Sequence, residues 1–107
     1  EKMKMDIINI NEVTSARLSS LTFDKKGPLL LSIDCDGIDA SHVPAVSALN
    51  PFGLDSEHLL ALAKVLKKKW KSDGQFFCGI YEFNPIYDTL SAQGARYMSY
   101  YLNHLIS

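Results

Sequence analysis

Apolar and polar residues fall along this chain in alternating blocks. Leu29-Leu-Leu-Ser-Ile33 is a short, nearly continuous apolar run between Gly27-Pro28 and Asp34. Such a run predicts a strand buried on both faces, as in a parallel sheet. Over residues 35–53 the pattern gives way to Asp, Ser, Pro, Gly and Asn. This is a predicted loop of about twenty residues, a length that compact domains rarely carry unless it serves a function. Leu59, Leu62, Ala63 and Leu66 then recur at helical spacing, with Lys64, Lys67 and Lys68 at other positions. Asp55 is placed to cap this helix, and its late lysines suit the negative end of the macrodipole. Ser72-Asp73-Gly74 ends it. Residues 75–83, rich in aromatics, predict a second strand, broken by Asn84-Pro85. A last helix is predicted from about Asp88 to His104, with Leu90, Ala95, Met98, Tyr101, Leu102 and Leu105 near one face. Upstream the signals are weaker. Residues 6–10 read as a short strand, and residues 12–21 as a helix of mediocre formers, including Thr14, Ser15, Ser19 and Ser20.

The order strand, loop, helix, strand, loop, helix is that of a βαβ unit in a parallel sheet with packed helices. Ligands of such sheets bind at the carboxyl ends of the strands. Acids stand at two such ends, Asp34 with Asp36 after the first strand and Glu82 late in the second. Topology and chemistry therefore point to one edge.

Composition narrows the function classes. The 107 residues suffice for one small domain, and 47% hydrophobic with 21% charged residues is an ordinary soluble balance. A net charge of -1 gives no electrostatic case for nucleic acid or an anionic membrane as a partner. No apolar run approaches the roughly 20 residues of a membrane span, and no signal peptide is legible. Cys35 and Cys78 match no zinc or CxxC spacing. They read as reduced thiols, which implies a cytoplasmic type of compartment.

Asp34-Cys-Asp36-Gly-Ile-Asp39 is the most informative stretch. If the extended backbone persists, Asp34 and Asp36 project to the same side. Two like charges held together favour a bound divalent cation, and an all-oxygen donor set suits Mn²⁺, Mg²⁺ or Ca²⁺. The same pair, taken alone, reads at least as well as a turn with Asx hydrogen bonds. Asp39, Ser41 and His42, taken singly, read as loop residues. Glu82 in an apolar strand wants a cation, a donor or a substrate. His58 and His104 read as surface residues, Lys67-Lys68-Lys69 as a solvated helix end, and Tyr97, Tyr100 and Tyr101 as packing.

With these residues in view, a resemblance emerges. Ser32-Ile-Asp34-Cys-Asp36-Gly-Ile-Asp39-Ala-Ser-His-Val-Pro44 resembles the ureohydrolase signature S-x-D-x-D-x-x-D-P-x-x-x-P. Tyr81-Glu82-Phe83-Asn84-Pro85 resembles the family's E-V-N-P segment, and Phe52-Gly53-Leu54 its G-G-L before a helix. Residues 28–107 carry the match. The family comprises arginase, agmatinase, formimidoylglutamase and relatives. The resemblance implies a three-layer α/β/α sandwich with a mostly parallel sheet, of which residues 1–107 would be the C-terminal part of a single domain. It implies two manganese ions, with Asp34 bridging them, Asp36 holding one, and Asp39 in support behind the ligands. Glu82 would sit against the substrate's planar guanidino or formimino group. The paired ions would activate water for attack on the central carbon. A homo-oligomer is implied by the same analogy, and a small amidine or guanidine is the implied partner.

The departures from the pattern are informative. Ala40 stands where the family has Pro, and Gly79 where many members have Asp. Val46-Ser47-Ala48 replaces the Thr-Gly-Thr usual in arginases and agmatinases, and with residues 88–96 it resembles formimidoylglutamase more. That branch implies hydrolysis of N-formimidoyl-glutamate to glutamate and formamide, in histidine degradation. An arginase or agmatinase releasing urea is the alternative within the family, and an inactive ureohydrolase-like protein is the alternative outside enzymes. The family's further metal ligands, an upstream histidine and Asp-Ala-His-x-Asp, are absent from these residues. With Glu1 first in place of Met, the expectation is a segment that is inactive alone and depends on a preceding piece of the same domain.

Overall fold

The computed structural model describes residues 7–23 and 26–107. Two parallel strands carry the fold: β1 (Leu29–Asp34) and β2 (Phe76–Tyr81). Between them lie a short 3₁₀ turn (Cys35–Gly37), a long irregular segment, and helix α2 (Ser56–Asp73). After β2 come a second 3₁₀ turn (Pro85–Tyr87) and helix α3 (Gln93–Ile106). A five-residue helix, α1 (Ser15–Ser19), precedes the sheet and packs on α2.

The strand pairing runs Leu29↔Phe76 through Ile33↔Ile80 to Asp34↔Tyr81. One face of β1 is buried at Leu29 and Ile33. These pack with Leu59, Ala63 and Leu66 of α2 and Met98, Tyr101 and Leu105 of α3 in one core. Both helices thus cover the same side of the sheet. The expectation of a strand buried on both faces is corrected here. Leu30 is 74% exposed, and Phe77 and Tyr81 on the same face are more than half exposed. Among the described residues nothing covers that face, so the apolar run of β1 is buried on one side and open on the other.

Helix α2 begins as the sequence implies. Asp55 caps it, its carboxylate accepting from Ser56 N–H at 2.6 Å. The third helical residue, His58, closes a capping box by accepting from Asp55 N–H at 3.2 Å. His58 is therefore a half-buried cap residue and not a surface bystander. Gly74 ends the helix at φ 79°, its N–H donating to the Trp70 carbonyl at 2.7 Å. The left-handed turn is glycine's to make. Trp70 closes the bottom of the core by stacking on Phe76 and donating from Nε1 to the Leu105 carbonyl at 2.9 Å.

Helix α3 starts five residues later than predicted. Asp88 lies outside it, and Leu90 is fully exposed. The residue at the N-cap is Ala92, at φ 57°, whose side chain offers no acceptor. Asp88 supplies the cap from a distance, accepting from Gly94 N–H at 2.8 Å and Ala95 N–H at 3.0 Å. Asp88 thus sits before a turn and not in the helix. At the N-terminus, the predicted helix over residues 12–21 contracts to a 3₁₀ turn (Ile10–Glu12) and α1. Of the strand predicted over residues 6–10, residue 6 lies outside the described residues, and residues 7–10 hold no strand.

Candidate active-site edge

The residues predicted to carry chemistry collect at the carboxyl ends of β1 and β2. Asp34 closes β1 and is paired in register with Tyr81. Glu82 follows Tyr81 directly. Asp36 lies in the 3₁₀ turn after β1. The backbone does not stay extended past Asp34, so strand alternation is not what aligns Asp34 and Asp36. The turn is what carries Asp36 onward. Both carboxylates nevertheless bear on one buried group. Burial, then the negative charges of Asp36 and Asp34, push the Cys35 thiol above its ordinary value. Cys35 and Cys78 are both free thiols.

Glu82 has φ 63°, a left-handed backbone conformation uncommon for a residue with a side chain. Such positions cost about 1–3 kcal/mol and persist where the surroundings fix them. Here the surroundings are visible. Two residues on, Asn84 accepts from Ile86 N–H through Oδ1 at 3.1 Å and caps the turn that Pro85 opens. The N–H of Asn84 donates to the Ala45 carbonyl at 2.6 Å. The Glu-Phe-Asn-Pro segment is thus a turn clamped to the loop after β1, with Glu82 held at its start.

The loop after β1 is itself tied down. Ile38 and Leu54 form a parallel bridge, with Asp39 N–H donating to Leu54 and Leu54 N–H donating to Gly37, each at 2.9 Å. Gly53 makes the approach possible. A Cβ there would stand 2.6 Å from the Ile38 carbonyl carbon and 2.7 Å from the Asp39 nitrogen. Val43, Ala45 and Val46 are buried and anchor the far end of the loop in the core. Asp39 does not face the two other aspartates through any hydrogen bond. Its carboxylate accepts from Ser41 N–H at 3.0 Å and Ser41 Oγ–H at 2.7 Å, a closed Asx turn. Those two bonds, the backbone one first, hold its carboxyl below the usual range, with a smaller contribution from His42.

Asp34, Asp36 and Glu82 make no side-chain hydrogen bond or ion pair among the described residues. No group of three or more His, Cys, Asp or Glu able to hold a metal occurs among the described residues. The edge therefore offers oxygen donors without completing a cage. Sequence reasoning assigned no role to a second cluster beside it. His42 Nε2 lies 3.3 Å from Asp55 Oδ1, and its ring stacks on Tyr97 with centroids 5.0 Å apart and planes 9° apart. Tyr97 Oη in turn shares a 2.7 Å hydrogen bond with Ser56 Oγ. No spacing along the chain links these residues, since they come from the loop, α2 and α3.

The sequence profile of the arginase family matches residues 1–106. The chain belongs to the arginase family. Solved structures agree in fold. The formimidoylglutamase of Bacillus subtilis matches with a TM-score of 0.60 at 26% identity, over 78% of this chain and 25% of that one. The arginase of Medicago truncatula matches with a TM-score of 0.56 at 25% identity, over 71% of this chain and 22% of that one. The agmatine ureohydrolase of Thermoplasma volcanium matches with a TM-score of 0.53 at 26% identity, over 74% and 25%. The chain thus spans about a quarter of the length of these relatives. No match to a curated protein was found. The fold class is accordingly the arginase-like α/β type, and the described residues supply two parallel strands and one helical layer of it.

Proposed function

We propose that this chain carries part of the active site of a binuclear manganese hydrolase acting on the C–N bond of a linear amidine, with N-formimidoyl-glutamate as substrate. The observation that supports this reading most is the pairing of Asp34 with Tyr81. It sets a carboxylate-bearing loop and the strained Glu82 side by side at the ligand-binding edge of a parallel sheet. Asp34 and Asp36 fit the donor chemistry of manganese, being hard carboxylate oxygens that no protein donor engages among the described residues. Two aspartates hold such an ion weakly, so in this reading the remaining ligands come from outside residues 1–107, and the segment alone is inactive. When bound, the ion pair supplies an activated water and neutralises charge that develops on the substrate.

The chain's own residues do the rest. Asp34 and Asp36 fix the position of the reacting end, and Asp39, locked by Ser41, shapes the loop behind them. Glu82 presents a carboxylate to the planar cation of the substrate and orients it. Its left-handed backbone turns the side chain away from the direction that the strand would otherwise dictate. Val46-Ser47-Ala48 and residues 88–96 favour the formimidoylglutamase branch over the arginase and agmatinase branches. We further propose a homo-oligomer in a reducing, cytoplasmic setting.

The test is metal content and product release on the intact, full-length protein, given N-formimidoyl-glutamate, arginine and agmatine in parallel. Two manganese ions and formamide are expected. Urea would move the assignment to the arginase or agmatinase branch. Absence of metal and of turnover with all three would overturn the enzyme reading in favour of an inactive relative.

A further inference from the structure

We infer that His42 is a positioning residue, one that clamps the carboxylate-bearing loop onto the start of α2. The inference rests on the metal-site reading above for its consequence, but not for its geometry. His42 touches each neighbouring element. Its Nε2 meets the Asp55 carboxylate at 3.3 Å, and its ring lies flat against Tyr97 of α3. Its carbonyl accepts from Gln93 Nε2 at 3.3 Å, and the same amide also reaches the carbonyl of Ser41. Its N–H donates to Asp39 at 3.0 Å. The charged and titratable groups around the imidazole are Asp39 on its own loop, Asp55 on α2 and Tyr97 on α3.

The clamp acts where leverage on the site is greatest. Asp55 follows Leu54 directly, and Leu54 is bridged to Ile38, two residues from Asp36. The bridge and the His42–Asp55 contact therefore pin the loop at both ends of the Asp39 turn. Without the imidazole the loop keeps its bridge and the Gln93 bonds to its carbonyls, but loses its side-chain tie to Asp55 and its stack on Tyr97. His42 itself need not touch substrate. The Asp55 side chain is 59% exposed and that of His42 28%, so solvent weakens the bond, and the expected effect is modest.

Intact, full-length protein tests this with His42→Phe, which keeps a ring against Tyr97 but has no donor, and His42→Gln, which keeps a donor. Amide hydrogen exchange at Ala40, His42 and Val43 is followed in the metal-free protein, and release of manganese to a chelator in the loaded one. His42→Phe is expected to speed both by about threefold, and His42→Gln to restore both, with the melting temperature nearly unchanged in each. Unchanged exchange in His42→Phe, or equal loosening in the two variants, overturns the inference. If the wild type binds no manganese while the exchange contrast persists, the metal reading fails and the clamp stands. Should His42→Phe not fold, His42→Leu carries the same comparison against His42→Gln, because leucine also lacks a donor to the Asp55 carboxylate.

Discussion

Gly53→Ala puts the construction of the site edge to a direct test. The added Cβ would meet the Ile38 carbonyl carbon at 2.6 Å, the Asp39 nitrogen at 2.7 Å and the Gly37 oxygen at 2.8 Å. All three are backbone atoms, so no side chain can swing aside to make room. Relief requires the Leu54 and Ile38 segments to separate. That stretches the hydrogen bonds Asp39 N–H to Leu54 and Leu54 N–H to Gly37, both 2.9 Å at present. Overpacking of this kind costs about 1–3 kcal/mol, and each weakened bond up to about 1 kcal/mol. Replacing glycine also stiffens the unfolded chain, which offsets about 0.4–1 kcal/mol. A net loss of about 2–3 kcal/mol is expected in urea unfolding of the intact protein, with weaker manganese retention. Gly37→Ala is the matched control in the same loop, since nothing lies within 4 Å of its added Cβ. If the two variants unfold within about 0.5 kcal/mol of each other, the close approach at Gly53 does not hold the loop, and the reasoning fails.

Three further outcomes are expected. Asp88→Ala removes a distant cap and should cost about 1 kcal/mol at neutral pH. Burial alone would raise the Asp88 carboxyl, but bonds from Gly94, Ala95 and Thr89 N–H outweigh it and hold it below the ordinary 3.8. The stabilisation is thus full above that value and lost as pH falls through the depressed one, so the deficit measured by urea midpoint should shrink on acidification. Tyr101 Oη is buried with no hydrogen-bond partner among the described residues, and burial keeps its proton on far above the ordinary tyrosine range. Tyr101→Phe should therefore be neutral or stabilising by up to about 1 kcal/mol, and a thermal shift of opposite sign would reveal a partner for the hydroxyl. Glu82→Gly should leave stability equal or better, because glycine adopts φ 63° freely, yet abolish turnover. Glu82→Gln should abolish turnover without the stability gain, and a steady-state assay showing full activity in either would remove Glu82 from the site.

Much of this arrangement is legible in the chain, for identifiable reasons. The β1–α2–β2 unit follows from one apolar run, one helical stripe at Leu59, Ala63 and Leu66, and one aromatic run, each bounded by breakers. Asp55 and Gly74 mark the ends of α2 because caps use local backbone chemistry. The failures have physical causes as well. Leu30 reads as core because apolar character does not say which side of a sheet is covered. The start of α3 is not legible because Asp88 caps amides six and seven residues ahead, beyond the usual reach of a capping motif. Strand alternation aligns Asp36 with Asp34, yet a 3₁₀ turn intervenes. The cluster of His42, Asp55, Ser56 and Tyr97 was out of reach because its members meet only after folding.

The departure at Gly79 reads differently once its surroundings are known. Glycine in place of the aspartate of the resembled pattern would by itself favour an inactive relative. In this chain Tyr81 stands next along the same face, and a Cβ at position 79 would meet its hydroxyl at 2.6 Å and its ring carbon Cε2 at 2.7 Å. The tyrosine ring thus occupies the space that an acidic side chain would take. Its partner in register is Asp34, so the change lies next to the carboxylates without replacing any of them. Asp34, Asp36 and Glu82 stand at the same edge, and Glu82 has a left-handed backbone held by Asn84 and Ala45. The space at Gly79 is thus a wall filled by tyrosine beside Asp34, and a carboxylate at position 79 would require the Tyr81 ring to move.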